Sequence, residues 1–198
     1  MSDLTLSEAV KILHAARTEE IVVTSMGNAR EWMTLAPHPL DWVYVPSSMG
    51  QATSLGLGLA LAQPHRRVVV CSGDGSQLMN LGSLVTITAQ APKNYTLILF
   101  DNGVYEVTGA QPLPSSPETR KNRDRIDWSA VLSAGGFGEV QVYGRAADWQ
   151  RDVKSWLQKE GPSCAVLRVA PVPNAVGPRS PGPAKERARK FREALTAR

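Results

Sequence analysis

Apolar residues in this chain come in two patterns that alternate from one end to the other. Short continuous runs, such as Ile21-Val22-Val23-Thr24, Trp42-Val43-Tyr44-Val45, Arg67-Val68-Val69-Val70-Cys71 and Tyr95-Thr96-Leu97-Ile98-Leu99-Phe100, predict strands buried on both faces. Further strands are expected near Glu139–Tyr143 and at Ala165–Val169. Between these runs the apolar positions adopt helical spacing. Ala9, Val10, Leu13 and Ala16 predict a first helix capped by Ser7. Met26-Gly27-Asn28 turns the chain into a helix near 29–35. The small residues of 49–63 suit a tightly packed helix ended by Pro64, and helices are expected over 77–90, 128–134 and 146–159. Residues 111–125 are polar, contain three prolines and predict an exposed loop.

Buried strands alternating with helices define an α/β fold: three layers, with a mostly parallel sheet covered by helices on both faces. This domain is expected to occupy residues 1–170. Residues 171–183, with five prolines, form a connector, and 184–198 a basic helix whose only large apolar groups are Phe191 and Leu195. In such sheets ligands bind where the strands end and the loops begin.

Composition narrows the classes. A chain of 198 residues with 42% hydrophobic and 20% charged residues can build a core. Its two cysteines, Cys71 and Cys164, exclude a disulfide scaffold or a cysteine-ligated cluster, and their apolar surroundings predict reduced core thiols. No apolar run reaches membrane-spanning length and no signal pattern opens the chain, so a cytoplasmic protein with no membrane partner is expected. The net charge of +4 raises nucleic acid as a partner. Residues 179–198 alone carry +5, however, leaving the rest at −1, so the charge belongs to the tail and no nucleic-acid role is expected. The tail helix is expected to pack on a partner subunit. His14, His38 and His65 lack metal-ligand spacing.

The chemistry lies at Gly73-Asp74-Gly75-Ser76, which follows a buried strand and opens a helix, a setting that suits a phosphate. A carboxylate beside an anion makes sense if a cation lies between them. Asp101-Asn102-Gly103 follows the next buried strand, with Asn102 28 positions beyond Asp74, and can add an amide oxygen. Mg²⁺ takes about six oxygens, which Asp74, Asn102, a nearby backbone carbonyl, two diphosphate oxygens and water would supply.

Gly-Asp-Gly-Ser followed at this interval by Asn102 resembles the diphosphate–metal motif of thiamine-diphosphate enzymes. Ser47-Ser48-Met49-Gly50, Asn80-Leu81-Gly82-Ser83-Leu84, Asp101-Asn102-Gly103-Val104-Tyr105 and Thr108-Gly109-Ala110-Gln111-Pro112 are similar to segments of sulfopyruvate and phosphonopyruvate decarboxylases, nearest to the short β subunit of the former. The resemblance covers nearly the whole chain.

That resemblance implies thiamine diphosphate and Mg²⁺ as cofactors, with Asp74, Asn102 and the Val104 carbonyl as metal ligands. Gly27, Asn28 and Ser48, with Gly73, Gly75, Ser76 and Tyr105, would contact the cofactor. Met49 would wedge the bent cofactor, and the Ser47 backbone would bond its amino group. It further implies decarboxylation of a small-molecule 2-oxo acid, activated by a glutamate on a pyrimidine-binding domain. Only one α/β unit is present here, so a separate pyrimidine-binding subunit is expected to supply that glutamate, within a homo- or hetero-oligomer. An acetolactate-synthase-like carboligase and a non-catalytic regulatory subunit are the alternatives. Thr108 stands where some relatives carry an acidic catalytic residue. Tyr105 and Glu106 are expected to face solvent more readily than substrate, and Arg120, Lys121, Arg123 and Arg125 to form a solvated loop.

Overall fold

The buried apolar runs pair side by side along their whole length. The structure, a computed structural model, describes residues 4–113 and 126–196. Its elements in chain order are α1 (Leu6–Ala16), β1 (Ile21–Ser25), α2 (Met26–Trp32), β2 (Asp41–Tyr44), α3 (Ala52–Ala62), β3 (Val68–Gly73), α4 (Asp74–Leu78), α5 (Gly82–Gln90) and β4 (Tyr95–Asp101). There follow β5 (Val104–Tyr105), β6 (Gln111–Pro112), α6 (Trp128–Ala134), β7 (Glu139–Tyr143), α7 (Ala146–Gln158), β8 (Ser163–Arg168) and α8 (Ala184–Thr196). Six strands form one sheet in the order β2-β1-β3-β4-β8-β7, parallel at every pairing, and β5 and β6 form a small antiparallel ribbon.

Strand alternation sends neighbouring side chains into two separate cores. Val22, Val69, Cys71, Ile98 and Leu167 face Val10, Leu13, Trp149 and Trp156, on the side covered by α1, α2 and α7. Ile21, Val23, Val70, Leu97, Leu99 and Val166 face Ala52, Ala60, Leu84, Ile87, Trp128 and Leu132, on the side covered by α3, α5 and α6. Both faces are therefore dry, which is why the strands read as continuous apolar runs and not as alternating ones. Gly56 brings α3 hard against the sheet: a Cβ there would lie 2.1 Å from Val70 Cγ2. Cys71 and Cys164 are free and buried, and burial pushes both thiols up.

Several local expectations shift. Thr5, not Ser7, caps α1. Its hydroxyl accepts from the Glu8 amide at 3.2 Å, while Glu8 Oε2 accepts from the Thr5 amide at 3.0 Å, a reciprocal box that satisfies two otherwise orphaned donors. Helix α2 starts at Met26, directly on the strand end, with Met26 itself at φ 53°. The expected helix over 77–90 is two, α4 and α5, broken at Met79–Leu81. Gln111 and Pro112 pair with Val104 and Tyr105 and are not simple loop.

The tail helix is the larger correction. It lies on this chain's own sheet edge: Phe191 is buried, its ring 5.2 Å from Trp42, and the Arg187 guanidinium donates to the Val43 and Val45 carbonyls. The apolar stripe on α8 was legible, but its cover is Trp42 of the same chain. Among the described residues no helix is long and apolar enough to cross a membrane. The basic residues 120–125 lie outside the described residues.

Candidate functional site

The strand order reverses between β1 and β3, the position at which a parallel sheet opens a crevice at its carboxyl edge. A cleft open to solvent lies there. Its walls come from the ends of β1 (Met26, Gly27, Asn28), β3 (Gly73, Asp74, Gly75, Ser76) and β4 (Asn102, Val104, Tyr105), with Met49 preceding α3. Residues far apart in sequence thus converge because three adjacent strands end at the same level.

Asp74 is buried and doubly held. Its Oδ1 accepts from the Gly75 amide at 2.8 Å and its Oδ2 from the Gly103 amide at 2.7 Å, joining the β3 end to the β4 loop. Burial pushes its carboxyl up to about 8, with the nearby Asp101 adding to the rise and the two amides opposing it. Asn102 Oδ1 accepts from the Val104 amide at 3.0 Å. Asn28 Oδ1 accepts from the Ser25 amide at 2.8 Å and fixes the sharp strand-to-helix turn. The Tyr105 ring covers Gly75, where a Cβ would come within 2.8 Å of it.

Ser47 and Ser48 are the two sequence candidates that do not line the cleft. The Ser47 hydroxyl instead donates to Met26 Sδ at 3.0 Å, and the Ser48 amide to the Tyr44 hydroxyl at 3.4 Å. Ser47 thus buttresses Met26, while Ser48 is tied to β2. Leu6, Met26, Phe100, Glu106 and Val169 line the cleft without having been singled out as site residues. Leu6 and Val169 carry only an apolar signal indistinguishable from core. Glu106, expected to face solvent, is instead 8% exposed and bonded on both carboxylate oxygens. His14 packs edge-on to Trp32 at 5.1 Å, and His38 Nδ1 accepts from the Leu40 amide at 3.1 Å, both structural.

A doubly covered parallel sheet with a buried carboxylate, an amide side chain and a glycine-rich turn at its switch point defines an α/β cofactor-binding domain. Comparison with known proteins gives it a family. Residues 23–167 match the thiamine pyrophosphate enzyme C-terminal TPP-binding domain, and the chain belongs to that family. It is 39% identical over 165 residues to a sulfopyruvate decarboxylase subunit beta of Methanothermobacter thermautotrophicus, covering 83% of this chain and 81% of that one. It is 38% identical over 176 residues to a phosphonopyruvate decarboxylase of Streptomyces hygroscopicus, covering 89% of this chain but 41% of that one. The Rhodococcus jostii thiamine diphosphate-dependent 4-hydroxybenzoylformate decarboxylase shares the fold at a TM-score of 0.66 and 18% identity, over 86% of this chain and 33% of that one.

Proposed function

We propose that this chain is the diphosphate- and Mg²⁺-binding subunit of a thiamine-diphosphate-dependent 2-oxo acid decarboxylase of the sulfopyruvate or phosphonopyruvate type, completed by a separate pyrimidine-binding subunit. The observation that carries this reading is the meeting of Asp74 and the Asn102 loop, latched through Gly103, at the ends of adjacent strands in one cleft.

The donors fit the metal. Asp74, the Asn102 amide oxygen and the Val104 carbonyl are hard oxygen donors, which suit Mg²⁺. A carboxyl pushed up to about 8 by burial and a second carboxyl is one that a cation would return to its charged form. Among the described residues no group of His, Cys, Asp or Glu makes an alternative metal cluster. Gly75, Ser76 and Asn28 would face the diphosphate, Met49 would support the bent cofactor, and Ser47 would act by holding Met26 at the cleft wall.

Bound thiamine diphosphate supplies the electron sink that lets a 2-oxo acid lose carbon dioxide. This chain's residues contribute position and exclusion of water. The Asp74 latch holds the loops after β3 and β4 in register, and Tyr105 closes over Gly75. Thr108, which lines the cleft, carries no ionisable group. Met79, Leu81 and Val85 are exposed apolar residues next to Asn80, whose amide donates to the Gly50 carbonyl at 2.9 Å beside Met49. An apolar face there fits a subunit interface.

The test is co-expression with a pyrimidine-binding polypeptide and assay of carbon dioxide release from sulfopyruvate, phosphonopyruvate and other 2-oxo acids. Release is expected only with Mg²⁺ and thiamine diphosphate, and is expected to vanish in Asp74→Ala. No release from any 2-oxo acid by the assembled pair would refute the reading.

A further inference from the structure

Glu106 sits where four segments meet. Its Oε1 accepts from Asn102 Nδ2 at 3.3 Å and from the Val172 amide at 2.8 Å, and its Oε2 accepts from Arg30 Nη2 at 3.4 Å. Arg30 in turn donates to Glu31 at 3.1 Å and to the Val176 carbonyl at 3.2 Å. Room for the carboxylate is made by Gly27, since a Cβ there would lie 2.7 Å from Glu106 Oε2. The side chain of Glu106 is 6% exposed.

A buried carboxylate can only accept hydrogen bonds, whereas a carboxamide presents oxygen on one side and NH₂ on the other. Asn102 must therefore turn its NH₂ towards Glu106, which leaves its oxygen on the side of the Val104 amide. Without that acceptor the two ends of the amide are nearly equivalent in shape, and only the Val104 amide is left to hold the oxygen.

We infer that Glu106 is a positioning residue that fixes the side-chain amide of Asn102 with its oxygen available to the cation, and that Arg30 and the Val172 amide hold Glu106 in that role. This rests on the assignment of Asn102 as a Mg²⁺ ligand made above. The connection runs from α2 and the segment after β8 into the β4 loop, so residues at three distant places in the sequence set one ligand's orientation. Partners of ligand side chains typically change metal affinity by about 10- to 100-fold.

The experiment is calorimetric titration of Mg²⁺ into the chain co-expressed with its pyrimidine-binding subunit, in the presence of thiamine diphosphate, with the melting temperature of each metal-free variant recorded alongside. Glu106→Ala is expected to weaken Mg²⁺ binding by about tenfold, and Glu106→Gln, which keeps an acceptor towards Asn102, to stay within about twofold of the parent. Should the alanine variant not fold, Glu106→Met fills the volume without an acceptor and takes its place. The deciding step repeats the substitution in an Asn102→Asp background. A carboxylate has no wrong end and would be repelled by Glu106, so there removal of Glu106 is expected to leave binding unchanged or tighten it. Equal weakening in both backgrounds, tracking the melting temperature, would show a structural role only and overturn the inference, as would unchanged binding in Glu106→Ala. If the parent pair shows no Mg²⁺-dependent uptake of thiamine diphosphate, it is the functional reading itself that fails.

Discussion

Asp74 and Gly103 are joined by a 2.7 Å hydrogen bond across the mouth of the sheet, carboxylate oxygen to backbone amide. The bond ties the end of β3 to the loop after β4, and Gly103 adopts φ 77° at that turn. Asp74→Ala removes the acceptor for two amides, those of Gly75 and Gly103. Leaving buried donors unpaired costs about 1–3 kcal/mol each. The variant is expected to lose Mg²⁺-dependent thiamine diphosphate binding by calorimetry and to unfold at lower urea than the parent. Retained binding at the parent's affinity would remove Asp74 from the proposed ligand set.

Gly56→Ala tests how closely α3 lies on the sheet. Alanine is the better helix former by about 1 kcal/mol. Here the added methyl would meet Val70 Cγ2 at 2.1 Å and Tyr95 Cε2 at 3.3 Å. Overpacking of this kind typically costs about 1–3 kcal/mol, so a net loss of stability is expected in urea unfolding. A gain would mean that α3 stands further from β3 than described.

Phe191→Ala addresses the tail. The ring is buried against Trp42, and truncating a buried Phe costs about 3–5 kcal/mol in a core. At this peripheral position the lower end, about 3 kcal/mol, is expected, together with proteolytic release of α8 at lower protease concentration. A tail that served only as a partner-docking element would leave the isolated chain's stability unchanged.

Glu8 gives a pH dependence. Hydrogen bonds from the Thr5 hydroxyl and amide, aided by Lys11, hold its carboxyl below the usual value of 4.5. A carboxyl lowered in the folded state contributes stability above its unfolded value, which is lost as pH falls through the folded one. The parent is therefore expected to exceed Glu8→Gln in urea midpoint at pH 7, with the difference shrinking below pH 4.5. An advantage of the same size at low pH would show that the box does not depend on the charge.

The strands were legible because both faces of the sheet are covered, so burial alone writes Val68–Gly73 and Tyr95–Asp101 as apolar runs. The metal loop was legible because its donors follow two such runs directly. Other features depend on contacts that local pattern does not carry. The break between α4 and α5 falls in a segment whose apolar spacing continues through Leu78, Leu81, Leu84 and Val85. The burial of Glu106 depends on Arg30 and Val172, 76 and 66 positions away. The positive φ of Met26, at a strand end that passes directly into a helix, is not written in the local pattern. Phe191 announced an apolar contact, but not that Trp42 would be on its other side.

The seat of α8 also bears on what this chain does in crowded solution. Strand β2 is the outermost strand of the sheet on its side, and its outward carbonyls are a template for another extended chain. Arg187 occupies the carbonyls of Val43 and Val45 and lies over the Trp42 ring at 5.3 Å. The tail thus works as a guard against edge-to-edge aggregation: a positively charged cover on one of the sheet's two edge strands.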